Sequence, residues 1–155
     1  MDKVDIADLD SWMGPADVKR PVGKALGLED AAANYYELAP GESFAFGYHK
    51  HENQEEVFYI LDGEATFETE AGDVSVAAGE LIRFEPGEWQ QGWNRGATRV
   101  KALAIGAPQD SGETTILRDC ENCGGRTEQR IEATEEGDEL VTLCLDCDAI
   151  TGRFD

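Results

Sequence analysis

The sequence predicts an all-β protein: a barrel or sandwich of short strands, followed by a small module stapled by a metal ion. Three observations carry this reading. Runs of β-prone residues recur between residues 33 and 107, each closed by glycine or proline. Seventeen glycines in 155 residues require many tight turns. The four cysteines form two Cys-x-x-Cys pairs, Cys120/Cys123 and Cys144/Cys147, both in the last quarter of the chain.

Residues 1–32 are mixed in character, with 8–13 reading as a short helix or turn and 22–27 as irregular chain. Residues 34–38 are β-prone and stop at Pro40-Gly41, a turn signal. Residues 44–51 read as a second strand. Residues 56–61 read as a third, closed by Asp62-Gly63, a dipeptide that favours hairpins. Residues 64–69 alternate polar and apolar, and Ala71-Gly72-Asp73 turns them into 74–77. Gly79 leads to residues 81–84, closed by Pro86-Gly87, and residues 99–105 lead out of the unit. Residues 108–117 begin polar and read as a linker. The chain thus divides into a barrel with an N-terminal extension at 1–107, a linker at 108–117 and a metal module at 118–155. No internal repeat recurs at a fixed period.

Composition narrows the function. Acidic residues number 33 against 13 basic, a formal net charge of −20 that is spread along the chain. At ordinary salt such a molecule repels itself. In molar salt the Debye length falls to about 3 Å and the repulsion is screened. One reading is adaptation to a salt-rich cytosol, as in halophilic archaea; the other is an acidic protein that docks on a basic partner. Either way, binding to DNA, RNA or an anionic membrane is disfavoured. No stretch has the apolar length of a membrane span. The first residues lack the basic-then-apolar pattern of a signal peptide, so the expected location is the cytoplasm.

The cysteine spacing is the sharpest signal. Two Cys-x-x-Cys turns separated by twenty residues predict a tetrahedral Cys₄ zinc site, each turn aiming two thiolates at one ion. Redox dithiols and disulfides are the alternatives, but Cys-x-x-Cys redox motifs seldom come as a matched pair. Gly124 and Gly125 allow the tight backbone, and residues 127–133 can pair with 139–143 as a hairpin around 135–138. This pattern resembles a zinc ribbon. A closed Cys₄ site is structural, and a module this small depends on its metal to fold. From Arg118 to Asp155 there are 11 acidic and 4 basic residues, which argues against a phosphate-binding face and for a protein contact or domain bracing.

A second constellation lies in the strand region. His49 and His51, the only histidines, are two apart on an expected strand and leave the same face. Phe44, Phe46 and Tyr48 then fill the opposite face. Glu56 follows after four intervening residues, at the start of the next expected strand. Two imidazoles and a carboxylate in one pocket form a ligand set for Zn, Fe, Mn, Ni or Co. The plainer reading is a pair of ordinary pocket or surface histidines.

With these residues in place, residues 34–107 resemble the cupin family. Its first motif is matched by His49-x-His51, then Glu56 after four intervening residues, then Gly63 after six more, although its leading glycine is displaced, with Gly41 and Gly47 flanking the place. Its second motif is matched by Gly79, Gly87 and Asn94, with Glu85 where the motif has proline and Pro86-Gly87 still making the turn. The resemblance implies a jelly-roll barrel, a divalent transition metal held by His49, His51 and Glu56, and homodimers. Gln90 stands where the family's third histidine ligand belongs. An amide oxygen is a weaker, harder donor, so Gln90 is expected as a weak fourth ligand or as the partner of a bound water. The two-His, one-carboxylate remainder is the ligand set of non-haem iron oxygenases.

Phe58, Ile60 and Phe67, with Ala65, Val74 and Val76, are expected to line the barrel around a small organic ligand. Trp89 and Trp93 flank Gln90 at a possible mouth or as rim packing. Arg83 either points inward, to hold a substrate carboxylate or phosphate, or outward, to an acidic neighbour. No Ser-His-Asp or Cys-His nucleophile set and no phosphate-cradling loop is present. Two functions follow: a metal-dependent dioxygenase or isomerase acting on a small organic molecule, or a non-catalytic small-ligand sensor whose ribbon contacts a protein partner. A storage or structural role ranks below both.

Overall fold

The computed structural model describes residues 1–155. It is almost wholly β, as the strand spacing requires. After a 3-10 turn at Ile6–Asp8, capped by the Asp5 carboxylate on the Ala7 N–H, come β1 (Val18–Arg20), α1 (Val22–Leu26) and β2 (Ala32–Leu38). Then follow β3 (Tyr48–His51), β4 (Glu55–Asp62), β5 (Glu64–Thr69), β6 (Gly72–Ala77), β7 (Leu81–Phe84), β8 (Gln90–Trp93) and β9 (Val100–Ala107). The chain ends with β10 (Thr114–Cys120), β11 (Gly125–Ala133), β12 (Leu140–Cys144) and β13 (Ile150–Phe154). No helix is long and apolar enough to cross a membrane.

The strands form two sheets, ordered β1-β2-β9-β4-β7 and β13-β12-β11-β10-β3-β8-β5-β6. The inner faces enclose one aromatic core in which Phe44, Phe58, Phe67 and Phe84 touch in sequence, with ring centroids 5.0–6.3 Å apart. Leu38, Ile60, Ala65 and Val100 are fully buried beside them. Burial of such side chains contributes about 1.5–3 kcal/mol each, the main favourable term for a fold of this size. Gly92 of β8 lets the rings close in, since a Cβ there would lie 2.5 Å from Phe67 and 2.6 Å from Phe44.

Several sequence expectations change here. Residues 22–27 are not irregular: one helical turn forms and Gly27 ends it in the left-handed region. Asp62-Gly63 does not close a hairpin, because β4 lies in one sheet and β5 in the other; the turn is a corner between sheets. Residues 44–51 are not one strand. The chain bends through 44–47, and Gly47 comes so close to β10 that a Cβ would sit 2.5 Å from the Leu117 carbonyl. The bend breaks the alternation, so Phe44 enters the core while Phe46 meets Phe154 edge-on and Tyr48 stacks on Trp89. Val74 is 41% exposed because β6 is the edge of its sheet.

The linker expected at 108–117 is only partly irregular. Thr114, Thr115 and Ile116 are β-branched residues, which favour a pleated, paired chain. β10 accordingly pairs with β3 through four rungs, Thr114↔His51 to Leu117↔Tyr48, and then with β11. The cysteine module therefore continues the barrel's own sheet. Inside the module, β11 and β12 form the expected hairpin, with Ala133 opposite Leu140.

Candidate metal centre

β3 delivers both imidazoles to the barrel interior. Their ring centroids are 5.0 Å apart and nearly perpendicular. β4 begins directly after a short turn, which brings Glu56 alongside: His51 Nε2 lies 3.5 Å from Glu56 Oε2. One ligand atom each from His49, His51 and Glu56 lies within 4.8 Å of the other two. The expected convergence is therefore present in space.

Each imidazole is also oriented from behind. His49 Nδ1 donates to the Gly47 carbonyl at 3.0 Å, which leaves Nε2 with its lone pair. His51 Nδ1 lies 2.9 Å from Thr114 Oγ1 on β10. A hydrogen-bonded back nitrogen is the arrangement that fixes a metal-ligating imidazole. Burial pushes the His49 pKa below its ordinary value, against the raising effect of Glu56, so the ring stays neutral.

Gln90 sits directly across from His49 on β8. Its Nε2 donates to Glu56 Oε2 at 2.9 Å and lies 3.1 Å from His49 Nε2. The amide thus offers its hydrogens to lone pairs that a cation would otherwise use. Its Oε1 is buried without a partner. Such an orphan costs about 1–3 kcal/mol, and a rotated amide would turn that oxygen towards His49 and Glu56. The residues present therefore fit a divalent ion with Gln90 as an oxygen donor.

The turn of the second motif supports this centre. Gly87 donates its N–H to the His51 carbonyl at 2.8 Å, so Pro86-Gly87 braces β3. Asn94 is fully buried and structural: its amide donates to the Leu38 and Thr98 carbonyls, and its oxygen accepts from the Gly96 N–H.

Phe58, Ile60 and Phe67 do point inward, as packed core. Arg83 does not. It lies on the outer face, where it pairs with Glu55 at 2.6 Å and Glu85 at 3.1 Å, because its neighbour Phe84 takes the inward position. Trp89 is also outside the centre, stacked on Tyr48 beneath the Lys50 ammonium, since it alternates with the inward Gln90.

The four cysteines converge as the spacing requires. Cys120 and Cys147 sulfurs are 3.6 Å apart and those of Cys123 and Cys144 are 3.9 Å apart. Four sulfurs at about 2.3 Å from one zinc ion would be separated by about 3.8 Å, the edge of that tetrahedron. The Thr127 hydroxyl, 3.0 Å from the Cys144 sulfur, draws its pKa down to about 6, with help from backbone N–H groups. The Asn122 side chain lowers that of Cys147. Both shifts favour the thiolate, the form that binds metal, whereas contacts with the other three sulfurs push Cys123 up to about 12.

The sequence reading missed three residues that pack around the barrel. Thr114 was hidden in the expected linker. Lys19 belongs to β1, whose three residues show no readable alternation, and it lies opposite Tyr36, which faces the core from β2.

Residues 34–106 match the family model described as a cupin domain. A curated relative, the oxalate-binding protein of Thermotoga maritima, is 40% identical over 68 residues; these are 44% of this chain and 54% of that protein, so the chain spans about half the relative's length. A sugar phosphate isomerase of the cupin superfamily from Silicibacter pomeroyi aligns over 97% of this chain and 98% of its own, with a TM-score of 0.69 at 18% identity. A predicted oxalate decarboxylase from Thermotoga maritima aligns over 68% of this chain and 98% of its own, with a TM-score of 0.59 at 25% identity. The polyketide cyclase of Streptomyces resistomycificus aligns over 78% and 88%, with a TM-score of 0.64 at 20% identity.

Proposed function

We propose, for a chain that belongs to the cupin superfamily through residues 34–106, that the barrel binds a small organic molecule at a divalent transition metal. His49, His51 and Glu56 would hold the ion and Gln90 would add a weak oxygen donor. One observation carries the reading: the ligand atoms converge within 4.8 Å while both imidazoles are hydrogen-bonded from behind. When bound, such an ion supplies Lewis acidity or a site for oxygen activation, the chemistry of isomerases and dioxygenases. The chain's own residues orient the rings: the Gly47 carbonyl holds His49 Nδ1 so that Nε2 faces the centre, Thr114 stands behind His51, and Gln90 holds the Glu56 carboxylate beside both. The Cys₄ cluster would hold a structural zinc ion that braces the β11–β13 hairpins. The distributed charge supports work in a salt-rich interior.

A second reading is a non-catalytic binding module, and Gln90 favours it. Its amide satisfies His49 and Glu56 without any ion, so the centre is stable when empty. Elemental analysis of protein reconstituted with Mn, Fe, Ni or Zn separates the readings. The expected result is two ions per chain in the wild type and one in His51→Ala. A single ion in both, with all four cysteines protected, would remove the barrel metal.

A further inference from the structure

A cleft of about 850 Å³ lies outside the barrel, between the eight-stranded sheet and the cysteine module. That volume falls among small-molecule sites, which measure about 300–1,000 Å³. Trp93 faces it because its neighbour on β8, Gly92, takes the inward position against Phe44 and Phe67. β10 contributes Leu117 and Arg118, and β13 contributes Ile150 and Thr151. None of His49, His51, Glu56 and Gln90 lines this cleft, so it is separate from the barrel centre.

Two donors on its walls have no acceptor: the Trp93 indole N–H and the Arg118 Nε–H are both buried without a partner. Such groups are rare in folded proteins, and an acceptor brought by a bound molecule removes their cost. Arg118 is unusual in a second way. Its guanidinium donates to the Phe46 and Thr151 carbonyls and lies 5.3 Å from the Phe154 ring centroid. A guanidinium has five N–H groups, and carbonyls leave its charge unneutralised. Six of the eight arginines pair with a carboxylate, and Arg118 does not. Its neighbour Asp119 lies 4.0 Å from Arg126 instead.

We propose that this cleft binds a small monocarboxylic acid with an apolar body, its oxygens taken by the Arg118 guanidinium and the Trp93 indole N–H. The chemistry of the walls selects this class. Arginine matches a planar carboxylate, and charge-assisted hydrogen bonds are about twice as strong as neutral ones. Arg126, the other cation of the cleft, is paired with Glu68 at 2.9 Å, which leaves one free positive charge. Asp119 and Glu121, both exposed and both lining the cleft, disfavour a second negative charge on the ligand. The half-buried Trp93 and Leu117 and the 48% exposed Ile150 offer an apolar surface to the rest of the molecule. In molar salt the chain's net charge of −20 is screened beyond about 3 Å, so the local contacts decide.

Benzoate is the probe and uncharged benzamide the control, with proton–nitrogen correlation spectra of zinc-loaded protein as the readout. Three tryptophans give three indole signals, and Trp93→Phe identifies one by deleting it. Benzoate should move that signal to saturation, and benzamide should leave it in place. By calorimetry, Trp93→Phe and Arg118→Gln should each bind benzoate at least about tenfold more weakly. His51→Ala should bind it as wild type does. Arg118 also ties β13 to the barrel, so if Arg118→Gln melts early, Trp93→Phe, which keeps an aromatic ring, decides. A Trp93 signal that benzoate does not move, or that benzamide moves equally, would overturn the proposal. So would unchanged benzoate affinity in Trp93→Phe, or lost affinity in His51→Ala, which would put the anion in the barrel.

Discussion

Replacing Gln90 with histidine gives the most direct measure of the barrel centre. In the metal-free protein the Gln90 amide donates to Glu56 at 2.9 Å and leaves Oε1 buried without a partner, which costs about 1–3 kcal/mol. Metal binding to the native state stabilises it by about 2.7 kcal/mol when the free ion is at 100 times its dissociation constant. For a domain of this size each kcal/mol moves the melting temperature by about 2–4 °C, so wild type should rise by about 5–11 °C. A third imidazole should tighten binding at least tenfold, adding about 1.4 kcal/mol, or about 3–6 °C, at the same ion concentration. Differential scanning calorimetry with Ni or Mn, after zinc has filled the cysteine cluster, reads both shifts. If Gln90→His shows the same metal-dependent shift as wild type, the amide is not beside the ion. If neither shifts, the three ligands do not form a site.

Further outcomes follow from named contacts. Thr114→Val removes the hydroxyl behind His51 and should weaken barrel metal binding about 10–100-fold, by competition with a chromophoric chelator, without loss of the cysteine-bound ion. His49 is held below its unfolded value of 6.5, so the unfolded chain takes up a proton first; native stability should fall as pH drops below about 6.5, and His49→Gln should flatten that slope in denaturant titrations. Leu81, Leu61, Ile105 and Tyr59 are 64%, 43%, 43% and 37% exposed on the outer face of the five-stranded sheet, an apolar patch on a highly charged molecule. Sedimentation in high salt should give a dimer for wild type and a monomer for Leu81→Glu.

The candidate centre was legible because its signal is local. His49, His51 and Glu56 lie within eight residues, and strand alternation plus one short turn suffices to bring them together. The cysteine pairs were legible for the same reason, since each Cys-x-x-Cys turn aims its own two sulfurs. What failed depended on register or on distant partners. Arg83 could not be turned in or out until β7 was seen to pair Val57 with Arg83 and Glu56 with Phe84. Trp89 followed Gln90 by alternation, but no sequence rule placed Tyr48 and Lys50 around it. The strand at Thr114 was masked by the polar residues just before it. Lys19 belongs to a strand of three residues, too short for any alternation to show which way its side chain points.

β10 explains why the cysteine module belongs to the barrel and is not an appendage. β3 carries both histidines, yet it meets β8 through a single rung, His49↔Gln90. On its other side β10 supplies four rungs and the Thr114 hydroxyl. The strand that holds the imidazoles is therefore fixed chiefly by the strand that ends in Cys120, the first sulfur of the cluster. Side-chain contacts reinforce the same seam: Arg118 donates to the Phe46 and Thr151 carbonyls, Phe46 packs on Phe154, and Arg126 reaches Glu68 of β5 at 2.9 Å. The four-sulfur site at the end of β10 constrains the same strand from beyond the barrel. One stretch of seven residues thus carries both the hydroxyl behind His51 and the first cysteine of the cluster, so that disrupting the cluster is expected to loosen the candidate centre.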